Sequence, residues 1–304
     1  MSSEKSKQAV QTTGHAWDGD LQEFNNPLPT WWLWGFYATV VFALVYWVLY
    51  PAWPVGDSFT KGIGNEITYT TADGHKVTTH WNTRALYEKD MQEAREQQAA
   101  YLHSLQDASF QDILNDPKKR DFATSYAKVL FADNCAACHQ PGGGGIVGKY
   151  PNLDDDSWLW GGTFQQIQTT ITDGRHGNMP SFAGRLSPAQ MDDVSEYVLS
   201  LSGQSVDAAK VLRGEKLFQG EAGCFACHTK AGTGNVLMGS ANLTDQIWTI
   251  ADVHTGMTHE QKQQAIIGVI THGVSRTMPT WKGRLSPIQI KMLAFYVHEL
   301  GGGK

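Results

Sequence analysis

Only four of the 304 residues are cysteine, and none of the four stands alone. Cys135, Cys138, Cys224 and Cys227 fall in two C-x-x-C-H units, NCAACH (134–139) and GCFACH (223–228), so none remains for a disulfide framework. A strong charge of either sign is also missing. The formal net charge of −6 argues against a general nucleic-acid binder, and no nucleic-acid partner is expected. Residues 116–205 carry 7 basic and 10 acidic groups, and residues 206–304 carry 10 and 7. Opposite signs suit modules that touch each other, and equally suit plain solvated surface. Lysine and arginine are absent from positions 15–30, just before the one long apolar run. The nearest upstream lysine is Lys7 and no small-residue cleavage site follows the run, which excludes a removable secretory leader.

That run, WWLWGFYATVVFALVYWVLY (Trp31–Tyr50), has no charge over 20 residues. At helical rise it spans ~30 Å, the thickness of a bilayer core. Trp31, Trp32 and Trp34 crowd one end and Trp47, Tyr50 and Trp53 the other, as interfacial aromatic belts do. Pro27, Pro29, Pro51 and Pro54 mark its limits. A permanent membrane helix is expected over 30–53, in contact with lipid, after a polar segment 1–29. Counting Lys61 after the span against none directly before it weakly favours the C-terminal side inside.

Residues 54–115 form a connecting segment. NEITYTTADGHKVTTHW (65–81) alternates threonine with larger residues around Asp73-Gly74, a hairpin pattern, and 82–106, without Gly or Pro, predicts a helix. NDPKKRD (115–121) marks a boundary and SGQSVD (202–207) a shorter linker. The rest is one module written twice, over 116–205 and 206–304. KVLFADNCAACH…PNLDDDSW…GNMPSFAGRLSPAQ is matched by EKLFQGEAGCFACH…ANLTDQIW…RTMPTWKGRLSPIQ. The cysteines repeat at an offset of 89, Trp158 and Trp248 at 90, and Met179 and Met278, like Tyr197 and Tyr296, at 99. A helix precedes each cysteine pair. Another follows each methionine, opened by Ser187 or Ser286 as N-cap, proline, and Gln190 or Gln289 closing a capping box.

C-x-x-C-H places two thiols on one turn to add across the vinyl groups of a haem, with an imidazole set under the iron. A zinc site needs two cysteine pairs to converge, and here a whole repeat separates them. A thioredoxin-like dithiol needs a βαβ setting, which is absent. The distal ligands are expected at Met179 and Met278, the only methionines at equivalent positions, each stiffened by a following proline. His176 and His272 lie near but face Ser275 and Asp173 in the other copy. Met91, Met191 and Met292 suit core filling, and Met238 and Met257 lack methionine counterparts. Pairing of methionine and iron within one copy is the simpler expectation; pairing across copies fits the same residues. Trp158, Trp248, Tyr197 and Tyr296 are expected to wall the crevices, and Asn152 and Asn242 to brace the loops. Arg185 and Arg284 suit either haem propionates or solvent. Asp154-Asp155-Asp156 suits either a basic electron donor or solvent.

C-x-x-C-H, then N-L, then M-P, then a final aromatic helix resembles the class I c-type cytochromes, twice over. Residues 18–54, DGDLQEFNNPLPTWWLWGFYATVVFALVYWVLYPAWP, resemble the anchor of the dihaem subunit (subunit III) of cbb(3)-type cytochrome c oxidases. The resemblance implies a mainly α fold: one N-terminal transmembrane helix followed by two tandem class I cytochrome c domains. It implies two covalently bound haems c, on Cys135 and Cys138 with His139, and on Cys224 and Cys227 with His228, with Met179 and Met278 distal. It implies a single-pass protein of the bacterial inner membrane with its haem domains in the periplasm, against the weak charge count. Electrons would pass from a donor cytochrome c through this chain to a monohaem subunit. They would then reach a haem–copper catalytic subunit that reduces oxygen and pumps protons, the chain itself doing no bond chemistry. The alternatives are a membrane-anchored carrier serving another respiratory complex, and a dihaem peroxidase, which needs one open iron.

Overall fold

The computed structural model describes residues 11–204 and 206–301. The chain divides into two compact units, up to Gln98 and from Ala99 onward.

In the first unit, strands β1 (Thr12–Trp17) and β2 (Leu21–Phe24) form an antiparallel hairpin. Its turn places Asp18 and Gly19 at positive φ, 48° and 93°. Asp-Gly is a turn dipeptide suited to that geometry. The polar segment 1–29 thus holds a hairpin that its composition did not announce; residues 1–10 lie outside the described part. Helix α1 (Thr30–Leu49) is the expected apolar span, with none of its side chains buried inside the chain. Its C-terminal carbonyls are not left orphaned. The Asn65 side-chain amide donates to Leu49 O (2.6 Å) and the Ile63 amide to Val48 O (3.1 Å). Beyond it come a short pair, β3 (Pro54–Val55) with β4 (Ser58–Phe59), and the expected hairpin, β5 (Ile67–Thr70) with β6 (Lys76–Thr79). Trp47 meets Trp53 edge-on at 4.7 Å, and Tyr50 meets Trp81 at 5.4 Å, an aromatic collar at the exit of the span. Helix α2 (Thr83–Gln106) agrees with the expected 82–106, and its residues from Ala99 onward belong to the second unit.

The second unit contains α3 (Phe110–Asn115), α4 (Pro117–Asn134), α5 (Ala136–His139), α6 (Phe164–Asp173), β7 (Arg175–Met179) and α7 (Pro188–Leu201). It continues with α8 (Ala208–Gln219), α9 (Phe225–His228), α10 (His259–His272), β8 (Val274–Met278) and α11 (Pro287–Leu300). Both expected capping boxes are formed, Ser187 with Gln190 and Ser286 with Gln289. Thr163–Gln166 and Thr258–Gln261 cap α6 and α10 in the same way.

Among the described residues two hydrophobic cores are present, and they do not follow the copies 116–205 and 206–304. The first core joins α4 and α6 of copy one to α11 of copy two, through Phe131, Ile167, Ile171, Leu293 and Phe295. The second joins α8 and α10 of copy two to α7 of copy one, through Phe218, Ile266, Ile270, Val194 and Leu199. The crossing occurs at β7 and β8, which pair antiparallel with Arg175 opposite Met278, Gly177 opposite Arg276 and Met179 opposite Val274. Arg175 and Val274 are equivalent by sequence, as are Met179 and Met278, so the ladder has a local two-fold through its central pair. This is an internal exchange of C-terminal halves, a domain swap inside one chain.

The symmetry is broken where the last helices pack. In the first core Phe164 stacks between Phe110 (4.5 Å) and His298 (3.7 Å), with Phe295 beyond. Lys291 Nζ reaches across to donate to the carbonyls of Leu105, Gln106 and Ala108 at 2.5–2.9 Å, a cation at the end of α2. At the positions equivalent to Phe164, Phe295 and Lys291, the second core has Gln263, Glu196 and Asp192. Glu196, 1% exposed, accepts from His259 Nε2 (2.6 Å), Gln263 Nε2 (2.9 Å) and the Asp207 amide (3.2 Å). Truncating it strands buried donors, so Glu196→Ala is expected to lower stability by about 3 kcal/mol in denaturant unfolding of the holoprotein. Glu196→Gln, which keeps an acceptor, should lose less.

Candidate functional site

Each C-x-x-C-H unit folds as a single helical turn between its first cysteine and its histidine. The His139 amide donates to Cys135 O (2.9 Å) and the His228 amide to Cys224 O (3.0 Å). The thiols are free of one another. Immediately after each histidine the chain turns through a non-glycine residue at positive φ, Gln140 at 67° and Thr229 at 63°. The following loop folds back on the ring: His139 Nδ1 lies 3.1 Å from Pro151 O, and His228 Nδ1 lies 2.9 Å from Ala241 O. A carbonyl partner makes Nδ1 the protonated nitrogen, so Nε2 keeps its lone pair. Burial pushes both imidazoles below the usual histidine value, only partly offset by that hydrogen bond, which favours the neutral, metal-ligating form. Burial also pushes the Cys135 and Cys224 thiols up to about 11, unlike the depressed value of a reactive redox dithiol. The second loop is further tied to its hook by Ser240 Oγ donating to Cys227 O (2.6 Å).

The methionines end β7 and β8, and each packs against the core that the other copy's hook borders. Met278 and Cys135 both line the first core, and Met179 and Cys224 both line the second. Each methionine thus shares a core with the hook of the opposite copy and not with the hook of its own. Strand β7 continues into the other core instead of folding back, and β8 does the reverse. The loops after the methionines are anchored on helices of the opposite copy. Ser181 Oγ donates to Thr271 O (2.5 Å) and the Phe182 amide to Ile270 O (3.0 Å). Likewise Thr280 Oγ1 donates to Thr172 O (2.6 Å) and the Trp281 amide to Ile171 O (3.1 Å). Gly174 and Gly273, at φ 73° and 70°, make the approach possible. A Cβ on Gly174 would stand 2.5 Å from Met278 O, and one on Gly273 would stand 2.5 Å from Met179 O.

Other expected residues fall around these two centres. Trp158 and Tyr296 belong to the first core, Trp248 and Tyr197 to the second. The tyrosines also cross copies: Tyr296 packs on Phe131 at 5.5 Å and Tyr197 on Phe218 at 5.2 Å. Asn152 and Asn242 brace their loops, accepting from the amides of Asp154 (2.9 Å) and Thr244 (3.0 Å). Arg185 and Arg284 stack over Phe182 (4.8 Å) and Trp281 (4.2 Å). Asp155 takes the Ser157 amide (2.9 Å), a turn role, while burial raises its carboxyl above the usual value. His176 and His272 are exposed, bonded to Thr277 Oγ1 and Gly268 O at 2.9 Å. Sequence reasoning passed over the carbonyls of Pro151 and Ala241 and over Gly174 and Gly273. Alignment of the copies held the signal for the glycines, since each lies five residues before the methionine of its own copy.

The donor set fits a c-type haem. Each centre offers two free thiols on one turn, an imidazole with Nε2 available, and a thioether in the same apolar core. Trp158 Nε1 is buried without a hydrogen-bond partner, an orphan donor of the kind an acidic cofactor side chain would satisfy.

The family described as cytochrome C oxidase, cbb3-type, subunit III, matches residues 123–198 and 209–297. The N-terminal domain of cytochrome oxidase-cbb3, FixP, matches residues 9–57. A Cbb3-type cytochrome c oxidase subunit FixP of Azorhizobium caulinodans is 43% identical over 302 residues, covering 96% of this chain and 94% of the relative. A subunit CcoP of Cereibacter sphaeroides is 39% identical over 304 residues, covering 96% and 95%. A subunit FixP of Bradyrhizobium diazoefficiens is 40% identical over 307 residues, again covering 96% and 95%.

Proposed function

The chain belongs to the cbb3-type cytochrome c oxidase subunit III family and is an electron-transfer subunit of such an oxidase; on that premise we propose that it carries two haems c with exchanged distal ligands. Cys135, Cys138 and His139 with Met278 hold one; Cys224, Cys227 and His228 with Met179 hold the other. When bound, each haem supplies a one-electron ferric–ferrous couple. The protein residues do the rest. Pro151 O and Ala241 O fix the imidazole tautomer and raise the basicity of Nε2. The proline-stiffened strand ends hold thioether sulfur in a dry core, which favours the reduced state. Trp158 Nε1, buried without a partner, would be available to hold an acidic side chain of the first haem.

The observation that carries this reading is the placement of one methionine in each hook-bearing core. With both distal positions closed, relay is favoured over peroxidase chemistry, which needs an open iron. Electrons pass from a donor cytochrome c through the two haems to a monohaem subunit and on to the haem–copper catalytic subunit. Helix α1 is the single-pass anchor in the bacterial inner membrane, N-terminus inside, so that the haem units stand in the periplasm. An alkaline pyridine haemochrome assay on the purified chain tests the cofactor set. Two thioether-linked haems per chain are expected, falling to one in the double variant Cys135→Ala, Cys138→Ala. Failure of that variant to lose haem would refute the assignment.

A further inference from the structure

We propose that the hairpin β1–β2 is a docking element for a cationic, membrane-proximal segment of a partner subunit on the cytoplasmic side. This rests on the oxidase membership and orientation proposed above. Every residue of both strands is exposed. A lone two-stranded hairpin is marginally stable in water, so it needs a surface to lie on. Its own side chains offer one. Trp17 faces Leu21 across the ladder, and the two, 53% and 61% exposed, form an apolar pair on one face; Phe24, 66% exposed, lies on the other.

The charge says what fits. Asp18, Asp20 and Glu23 rim the apolar residues, and no lysine or arginine occurs between Lys7 and Lys61. The cytoplasmic leaflet is anionic and repels such a surface. Cytoplasmic loops of integral membrane proteins, by contrast, are enriched in lysine and arginine. The hairpin is therefore matched to protein and mismatched to lipid. A basic partner would also offset the unfavourable charge count around the anchor, which has no lysine or arginine between Lys7 and the span.

The test uses the tagged full-length chain, co-expressed with the other oxidase subunits and extracted in mild detergent. The triple variant Asp18→Lys, Asp20→Lys, Glu23→Lys should insert and load haem as the parent does. Its recovery of the haem–copper subunit should fall severalfold, and raised salt should lower the parent's recovery toward it. These lysines reinforce an N-inside orientation, so lost recovery cannot be blamed on inversion. Trp17→Ala with Leu21→Ala, which leaves charge alone, should also reduce recovery. Equal recovery by parent and triple variant overturns docking and leaves the oxidase assignment standing. Recovery of no haem–copper subunit by the parent itself overturns the oxidase assignment, and the docking with it. Protection of the hairpin from protease in vesicles of anionic phospholipid containing this chain alone would make lipid the occupant, and would also overturn the proposal.

Discussion

Met278→Leu is expected to open one iron of two, and the one it opens is attached 139 residues upstream, at the hook that ends in His139. Leucine keeps the volume and apolarity of the site, so the core that includes Phe131, Ile167 and Phe295 should remain packed. What is lost is the sulfur. Half of the reduced haem should then bind carbon monoxide, and half of the absorption signature of methionine-ligated iron should disappear. The affected couple should move to a lower potential, because the thioether favours the ferrous state. Met179→Leu should do the same to the haem at His228. In the parent chain, carbon monoxide should bind neither haem at a comparable rate.

The second large effect is on stability, and it also crosses copies. Phe295 is fully buried in the first core, on the helix that follows Met278. Phe295→Ala removes its ring from between Phe164 and the rest of that core, at an expected cost of about 3–5 kcal/mol. Denaturant unfolding followed at the haem bands should show the centre at His139 melting early. The centre at His228, whose core is filled by Phe218, Val194 and Leu199, should hold its midpoint. A uniform shift of both centres, or a shift of the second alone, would contradict the packing described. The same logic makes maturation of the first centre depend on the C-terminal strand and helix, since β8 and α11 complete it.

Much of this was legible in the sequence, and the illegible part has a physical cause. Trp31–Tyr50 announced its helix by length and lack of charge, and the spacing of the two C-x-x-C-H units pointed to the c-type cytochrome family that the comparisons show. Ser187–Gln190 and Ser286–Gln289 announced two helix starts that the structure confirms residue by residue. The exchange could not be read. Where two copies carry the same residues at the contacts, a helix from either satisfies the same core, and only the path of β7 and β8 decides. Gly177, opposite Arg276 at the centre of that ladder, carries no pattern that favours crossing over turning back. The differences between copies were visible as letters, Glu196 against Phe295 and Gln263 against Phe164, but not as a matched pair until α7 and α10 were seen in contact. The hairpin at Thr12–Phe24 was hidden because its strands lack a buried face, and a strand without one shows no alternation.

The claim most worth testing is the exchange of ligands, and a chain loaded at one hook isolates it. With Cys224→Ala and Cys227→Ala in place, the only covalent haem is the one held by Cys135, Cys138 and His139. Carbon monoxide binding to the reduced form is then measured after adding Met278→Leu or, separately, Met179→Leu. The exchanged arrangement predicts that Met278→Leu opens the remaining haem to the gas and that Met179→Leu leaves it closed. The opposite outcome would contradict it.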